Sequence, residues 1–108
     1  MVQAGQKTGG LYARVITLPV PEENVNSASR VYADEYLPLL KAQPGFVRVM
    51  WLADRVRGKG WGMSFWSSHE QMGAADAQGE FFPIVLARLA VYFSAPPEVG
   101  YYAVDVQV

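Results

Sequence analysis

The chain has 108 residues, of which 51 % are hydrophobic and 13 % aromatic, so it can bury a core as one domain and is too apolar for intrinsic disorder. Its net charge of −1 and its lack of a basic block argue against nucleic-acid binding. It has no cysteine, which excludes disulfides and thiolate chemistry, and one histidine, which excludes most histidine-based metal cages. It has no apolar run of about 20 residues and no signal-peptide pattern, so we expect a cytoplasmic protein without membrane contact.

The beginning of the chain predicts a tail followed by a strand. Residues 1–10 contain three glycines and few apolar side chains, so we expect a loose tail ahead of a single domain over residues 11–108. Leu11–Val20 is predicted to be a strand with apolar groups on both faces, which is typical of a strand inside a covered sheet. Pro19 and Pro21 end it, because proline cannot donate a hydrogen bond to a neighbouring strand.

Glu22–Gln43 is predicted to form a long helix. Its acidic first turn, Glu22 and Glu23, suits the positive end of a helix. Apolar residues recur at steps of three and four and form one stripe, which contains Val25, Ala28, Tyr32, Tyr36 and Leu39. Pro38 lies inside this pattern and removes one backbone donor, which predicts a kink near Asp34.

A hairpin is the clearest feature of the sequence. Pro44 and Gly45 stop the preceding helix, because proline disfavours helix in the residue before it and glycine accepts positive φ. Phe46–Ala53 and Trp61–Trp66 are rich in β-branched and aromatic residues, which favours two strands. Asp54–Gly60 lies between them and contains charges and two glycines, which suits a turn.

The rest of the chain predicts two helical segments and a last strand. Ser68–Ala77 is a short helix, and Glu80–Phe93 is a second one. The first begins with two overlapping capping boxes, Ser67 with Glu70 and Ser68 with Gln71. The second has an apolar stripe made of Phe82, Val85, Leu86, Leu89 and Phe93. Glu98–Val108 alternates between apolar and polar residues and predicts the fourth strand.

The order strand, helix, strand, strand, helix, strand predicts an α+β fold. Right-handed crossovers convert this order into a ferredoxin-like four-stranded antiparallel sheet with two helices on one face. The other face also needs cover, because apolar residues such as Trp51, Trp61 and Phe65 are unsuited to water. The same face of a second copy is the simplest cover, so we expect a homodimer in which two sheets form a shared α/β barrel.

Three short motifs appear once these elements are placed. They are Pro38-x-x-Lys41-x-x-Pro44-Gly45-Phe46, Trp66-x-Ser68-x-Glu70, and Ala87-Arg88-Leu89-Ala90 leading to Pro96-Pro97-Glu98-Val99. Together they resemble the antibiotic biosynthesis monooxygenase domain family, whose members are dimeric α/β-barrel proteins. The resemblance runs from about Leu11 to the end of the chain, and its motifs are more specific for the fold than for any one activity.

The resemblance implies several chemistries. Some members oxidise polyketide anthrones to quinones with molecular oxygen and no cofactor, and others bind and break down haem. In the anthrone enzymes a tryptophan is assisted by an asparagine four residues earlier and by an arginine of the second helix. Here Trp66 matches the tryptophan, Gly62 stands in place of the asparagine, and Arg88 lies near the arginine. The iron-binding histidine of the haem-degrading members has no counterpart in Gly73–Gln78, so we expect no haem and no other cofactor.

Strand alternation divides the second strand of the hairpin into two faces. Gly60, Gly62, Ser64 and Trp66 share one face, and Trp61, Met63 and Phe65 share the other. The first face has little side-chain volume before Trp66. Either a helix packs very closely there, or a pocket opens with Trp66 as one wall.

Trp66, Arg14 and His69 are the candidate catalytic residues. Trp66 would stack on a flat substrate and donate from Nε1, or would be a core residue that anchors the next helix. Arg14 lies among apolar neighbours and would hold a phenolate or carboxylate; the alternatives are an ion pair with Glu35 or Asp105, or an exposed position. His69 falls in the first turn of a helix, where it would act as a general base or simply face solvent.

The candidate substrate-binding residues are Gly62, Ser64, Tyr32, Tyr36, Arg88 and Tyr92. Aromatic stripes usually belong to a core, so the tyrosine that faces the cleft stays open. No metal-binding spacing occurs in the sequence. Three functions remain: a cofactor-independent monooxygenase acting on a small flat aromatic, a non-catalytic carrier or sensor of a small ligand, and an interaction scaffold whose glycine face is closed by packing.

Overall fold

The computed structural model describes residues 10–77 and 87–108, and every element below lies within those ranges. In chain order the elements are strand β1 (Leu11–Pro19), helix α1 (Glu22–Val31), a π-helical turn (Tyr32–Tyr36), helix α2 (Leu37–Lys41), strand β2 (Phe46–Asp54), strand β3 (Lys59–Trp66), helix α3 (His69–Ala77), a 3₁₀ turn (Ala90–Tyr92) and strand β4 (Glu98–Val104). The order of strands and helices is the one that the sequence predicts.

The four strands form one antiparallel sheet in the order β2-β3-β1-β4. This is the ferredoxin-like arrangement, and it confirms the predicted fold class. Strand β1 lies inside the sheet between β3 and β4, as its apolar faces predict, whereas β2 and β4 are the two edges. Strand β4 ends at Val104 rather than at Val108, because Val104 pairs with Leu11, the first residue of β1.

The hairpin turn is tighter than the sequence predicts. Lys59 and Gly60 already pair with β2, so the turn contracts to residues 55–58. Asp54 accepts hydrogen bonds from the backbone and the side chain of Arg57, both at 3.0 Å. Gly58 has a φ of 67°, a left-handed conformation that glycine adopts without strain. Its carbonyl accepts a bond from the Val20 amide at 2.8 Å, which ties the hairpin to the end of β1.

The predicted long helix is interrupted at the predicted place. Pro38 has no N–H to donate to the carbonyl of Asp34, and its ring crowds that carbonyl. The chain responds with a π-helical turn over Tyr32–Tyr36, in which the Leu37 amide bonds to the carbonyl of Tyr32. The irregularity therefore takes the form of a widened turn, and helix α2 ends at Lys41 instead of Gln43.

The beginning of helix α3 follows one of the two predicted capping boxes. The amide of Gln71 donates to the hydroxyl of Ser68 at 3.1 Å, which is the N-cap bond. The Ser67 hydroxyl donates to the side-chain oxygen of Gln71 at 2.7 Å, instead of pairing with Glu70. Of the second predicted helix, the part formed by residues 80–86 lies outside the described residues, and with it Phe82, Val85 and Leu86 of its apolar stripe.

The two faces of the sheet differ in what covers them. The inner face packs against the helices and forms the core, whose largest wholly buried side chains are Trp66, Arg14, Leu18, Leu40, Met72 and Leu89. The outer face carries apolar side chains that stay partly exposed in a single chain, including Val15, Met50, Trp61, Met63 and Phe65. Among the described helices, none is long and apolar enough to cross a membrane.

Candidate functional site

Strand β3 presents the face that alternation predicts. Gly60, Gly62, Ser64 and Trp66 are buried, and the residues between them are partly exposed. Trp66 is 0 % exposed and lies under the helices at the end of the strand. Its Nε1 donates to the hydroxyl of Ser64 at 3.0 Å, so this indole hydrogen bond is satisfied within the strand.

Close packing, the first of the two alternatives for the glycine face, is what the structure has at both glycines. A side chain at Gly62 would begin 2.9 Å from the hydroxyl of Tyr32. At Gly60 it would begin 2.8 Å from the ring of Trp51. Glycine is needed at these two positions because two aromatic side chains occupy the space that a Cβ would take.

Arg14 is the charged residue that lies buried in this interior among the described residues. Its side chain is 1 % exposed, and its register partner on β3 is Ser64, so both point toward the helices. Nη2 donates to the Tyr36 hydroxyl at 3.0 Å, and the guanidinium carbon lies 5.6 Å from the centre of the Trp66 ring. Glu35, one of its expected partners, pairs with Arg88 instead. We refer to Arg14, Tyr32, Tyr36, Ser64 and Trp66 as the Arg14 cluster.

The two tyrosines of the Arg14 cluster come from the first and last positions of the π-helical turn. Their rings meet edge to face with centres 4.9 Å apart. Burial raises the pKa of the Tyr36 hydroxyl to about 12, and Arg14 opposes that rise. Burial also raises the pKa of Tyr32, and Tyr36 adds to the effect. Both phenols are therefore neutral at physiological pH and can donate hydrogen bonds to an anion.

Three of the expected site residues lie outside the Arg14 cluster. His69 is exposed at the start of α3, where its ring meets the edge of Tyr12 at 5.8 Å. Arg88 is 59 % exposed and forms a two-point ion pair with Glu35, in which Nη2 donates to Oε2 at 2.7 Å. The half-buried Tyr92 uses its backbone carbonyl to accept a bond from Asn24 at 3.3 Å.

Trp51 corrects the expectation that it belongs to the outer face. It pairs with Gly62 and therefore points inward, where it stacks on Tyr32 with ring centres 4.8 Å apart. The cause is a register shift between Phe46 and Arg48, where one extra residue in β2 reverses the alternation of everything after it. The Nε1 of Trp51 donates to the hydroxyl of Ser29 at 2.8 Å, which joins β2 to helix α1.

The polar groups of the Arg14 cluster suit an organic anion better than a metal. Within residues 10–77 and 87–108, no group of three or more histidine, cysteine, aspartate or glutamate side chains is placed to hold a metal ion. A guanidinium, two neutral phenols and a flat indole are instead the groups that bind an ionised oxygen on an aromatic ring.

The fold and this interior define a ferredoxin-like α+β domain with a buried arginine–aromatic cluster between sheet and helices. No protein-family model matches the sequence, and the comparison with curated proteins finds no match either. Solved structures do match it, and they share the fold that the resemblance to antibiotic biosynthesis monooxygenases implies.

One such structure is a monooxygenase from the gene ActVA-Orf6 of Streptomyces coelicolor in complex with nanaomycin D, with a TM-score of 0.79, 13 % identity, and coverage of 94 % of this chain and 91 % of that one. Another is a mutant of SnoaB, a cofactor-independent oxygenase from Streptomyces nogalater, with a TM-score of 0.64, 23 % identity, and coverage of 87 % and 92 %. A candidate antibiotic biosynthesis monooxygenase from Caulobacter crescentus has a TM-score of 0.72, 15 % identity, and coverage of 89 % and 91 %. At these identities the shared property is the fold.

Proposed function

We propose that this protein is a cofactor-independent monooxygenase that oxidises a small, flat, electron-rich aromatic of the anthrone or hydroquinone type. The observation that carries the proposal is the buried Arg14–Tyr36 hydrogen bond beside the Trp66 ring. The fold is shared with structures that include a cofactor-independent oxygenase and a monooxygenase in complex with nanaomycin D, which supports the same class of reaction.

The reaction needs little from the protein beyond stabilising an anion. An anthrone that loses a proton becomes an electron-rich phenolate-like anion, which can transfer an electron to molecular oxygen. The two radicals combine, one oxygen atom remains on the ring carbon as a carbonyl, and the other leaves as water with the two hydrogens of the former methylene group. A preorganised cation in a water-poor interior stabilises the anion without reorganising.

The members of the Arg14 cluster have separate roles in this proposal. Arg14 faces the ionised oxygen, and Tyr36 donates a hydrogen bond to it. Trp66 provides a flat wall, with its indole N–H held by Ser64. Tyr32 fills the space over Gly62 and limits how deep a ring can enter. His69, Arg88 and Tyr92 lie outside the cluster, so the proposal assigns them no step in the chemistry.

Oxygen uptake with a panel of anthrones and hydroquinones tests the proposal. We expect uptake with the wild type and a loss of about 100-fold or more in kcat for Arg14→Gln, since removing one donor to a developing anion typically costs that much. Arg57→Gln is the matched control, because Arg57 lies at the exposed hairpin turn and pairs with Asp54. Tyr36→Phe, a smaller change, should lose activity in the same direction. No uptake by the wild type, or equal uptake by Arg14→Gln, would contradict the proposal.

We also propose that the protein is a homodimer joined through the outer face of the sheet. In a single chain, Tyr102 is 57 % exposed and Leu52 is 44 % exposed on that face. Met63 and Phe65 beside them are half-buried. A groove of about 320 Å³, lined by apolar residues of all four strands together with Arg48 and Gln107, adds to this surface. Apolar sheet faces of this kind are seldom left in water.

A non-catalytic ligand-binding protein is the second candidate. It is favoured by Gly62, because the asparagine that assists the tryptophan in the anthrone enzymes has no counterpart at that position. The close packing of Tyr32 and Trp51 over the two glycines favours instead the interaction scaffold. A thermal-shift screen with the same aromatics distinguishes the two functions: a ligand at a hundred times its Kd adds about 2.7 kcal/mol of stability. Stabilisation by such ligands without any oxygen uptake would favour the second candidate.

A further inference from the structure

The inner face of the sheet becomes exposed at its β4 edge. Tyr101 on β4 pairs directly with Arg14 on β1, so both side chains project to the side of the helices. Arg14 is 1 % exposed, whereas Tyr101 is 51 % exposed. Neighbouring strands lie about 4.8 Å apart, so burial gives way to solvent within one strand spacing.

The other neighbours of Arg14 close the remaining sides. Ser64, its partner across β3, is 3 % exposed, and Trp66 is 0 % exposed. Tyr36 covers it from the helices and is 3 % exposed. Of the two register partners of Arg14, Ser64 and Tyr101, the latter is therefore the one that reaches solvent.

Two further observations connect Tyr101 with the Arg14 cluster. Burial raises the pKa of Tyr36 to about 12, Arg14 opposes this, and the Tyr101 hydroxyl adds to the rise. Val99, two residues earlier and on the same face, is 39 % exposed. An apolar strip thus continues from the Arg14 cluster to the edge of the sheet.

We propose that substrate reaches the Arg14–Tyr36 pair over strand β4 and that Tyr101 is the entrance residue that determines which aromatics bind. This inference rests on the proposed function and specifies its substrate: a planar molecule with an acidic phenol at one end and an apolar ring system at the other. The ionised oxygen lies at Arg14, and the outer ring lies against the ring of Tyr101 and the side chain of Val99. A single-ring phenol reaches Arg14 without touching Tyr101 and binds more weakly.

Tyr102 provides a matched control for Tyr101. It is the next residue of the same strand, has the same side chain, and is 57 % exposed compared with 51 % for Tyr101. Successive residues of a strand point to opposite faces, so Tyr102 belongs to the outer face. The two variants remove equal amounts of side chain from opposite sides of one strand.

The experiment is a titration with dihydroxyanthraquinone, a flat phenol that already has the quinone oxidation state and so binds without being oxidised. Quenching of tryptophan fluorescence gives Kd for wild type, Tyr101→Ala and Tyr102→Ala. Each variant is checked for wild-type secondary structure by circular dichroism and for wild-type mass by light scattering, because Tyr102 lies on the proposed dimer face. We expect Tyr101→Ala to raise Kd roughly five- to tenfold, the loss of one aromatic contact, and Tyr102→Ala to change it by less than about twofold. Tyr101→Phe keeps the ring and should restore most of the affinity.

The outcomes separate this inference from the proposed function. If Arg14→Gln abolishes binding while Tyr101→Ala and Tyr102→Ala have equal effects, the entrance over β4 is wrong and the anion site stands. The entrance over β4 is also wrong if Tyr101→Phe binds as poorly as Tyr101→Ala, because contact with the ring then does not account for the loss of affinity. If dihydroxyanthraquinone does not bind to the wild type, the entrance over β4 is wrong, and the oxygen-uptake assay decides the proposed function separately.

Discussion

Arg14 carries a permanent charge at a position that is 1 % exposed, which is costly unless its neighbours compensate. The Tyr36 hydroxyl accepts one of its hydrogen bonds, and the Trp66 ring offers the negative face of its π system at 5.6 Å. Both interactions hold the guanidinium in place before any ligand arrives. At the scale of single residues, the proposed site is thus a cation whose orientation the surrounding aromatics determine.

The buried tyrosines predict a loss of stability at alkaline pH. Because the folded pKa of Tyr36 is about 12 and the unfolded value is near 10, the unfolded chain releases its proton first as the pH rises. The stabilisation is complete below about pH 10 and is lost between about pH 10 and 12. Urea unfolding of the wild type should therefore show a falling free energy of unfolding from about pH 10 to pH 12.

Tyr36→Phe removes one ionisable hydroxyl and should make that decline shallower, while the part due to Tyr32 remains. The same variant removes a hydrogen bond to a charged group, so it should be less stable than the wild type at pH 8 by roughly 1.5–3 kcal/mol. The missing hydrogen bond makes the variant less stable than the wild type at pH 8, whereas the missing titration narrows that difference at alkaline pH. Measuring stability in both pH ranges therefore distinguishes the titration of Tyr36 from the loss of its hydrogen bond. If the stability of the variant falls between about pH 10 and 12 as steeply as that of the wild type, Tyr36 is not one of the groups responsible.

At the scale of elements, the hairpin and the start of α3 position Trp66. Strand β3 pairs with β1 and β2 along its length, so its inner face is held from both sides. Ser68 begins the next helix two residues after Trp66, and the Ser67 amide bonds to the carbonyl of Gly45 at 2.8 Å. The strand end, the cap and the turn before β2 therefore restrict the indole to one position.

The cap of α3 gives a prediction at this scale. Ser68→Ala removes the acceptor of the Gln71 amide and should cost about 1 kcal/mol of stability, within the usual 0.5–2 kcal/mol for an N-cap. Ser67→Ala is the matched control, because its exposed hydroxyl bonds only to a side chain and should change stability by less than about 0.5 kcal/mol. The urea midpoints of the two variants measure these losses of stability. Equal losses would show that the Ser68 hydroxyl is not the N-cap that stabilises helix α3.

At the scale of the whole molecule, the two faces of one sheet serve different purposes. The inner face holds the Arg14 cluster, and the outer face carries a row in which Val15, Met63 and Met50 lie side by side on β1, β3 and β2. This row is half-buried in a single chain, although its side chains are apolar. A second copy of the sheet placed on it would complete the burial.

Light scattering at micromolar concentration should therefore give twice the mass of one chain. Met63→Asp puts a charge in the middle of the row and should yield monomers, because an unpaired charge at an apolar interface is not tolerated. Val56→Asp is the control: Val56 is 93 % exposed at the hairpin tip, so the same charge there should leave the dimer intact. A wild type that has the mass of one chain would end the dimer proposal.

Much of the fold could be predicted because its signals are local. Glycine and proline mark the ends of the hairpin strands, Ser68 marks a helix start, and Pro38 disturbs the helix within one turn of its own position. Alternation over Gly60–Trp66 placed the indole on the correct face. Each of these signals depends on residues only a few positions apart.

The errors arose where residues distant in sequence decide the outcome. One extra residue after Phe46 turns Trp51 toward the helices, and the local sequence pattern of β2 does not predict this bulge. Glu35 pairs with Arg88, which is 53 positions away in the sequence. Arg14 donates instead to the hydroxyl of Tyr36. The sequence does not predict a role for Tyr101, because its position opposite Arg14 depends on the pairing of β1 with β4.

The sequence by itself determined which segments become strands and helices and in which order, since those preferences lie in the backbone and in neighbouring side chains. Only the tertiary structure decided which side chains meet in the interior: Tyr32 over Gly62, and Arg14 between Tyr36 and Trp66. The physical reason is that strand register and helix placement bring together residues that are far apart along the chain, and the energy of those contacts depends on the completed fold.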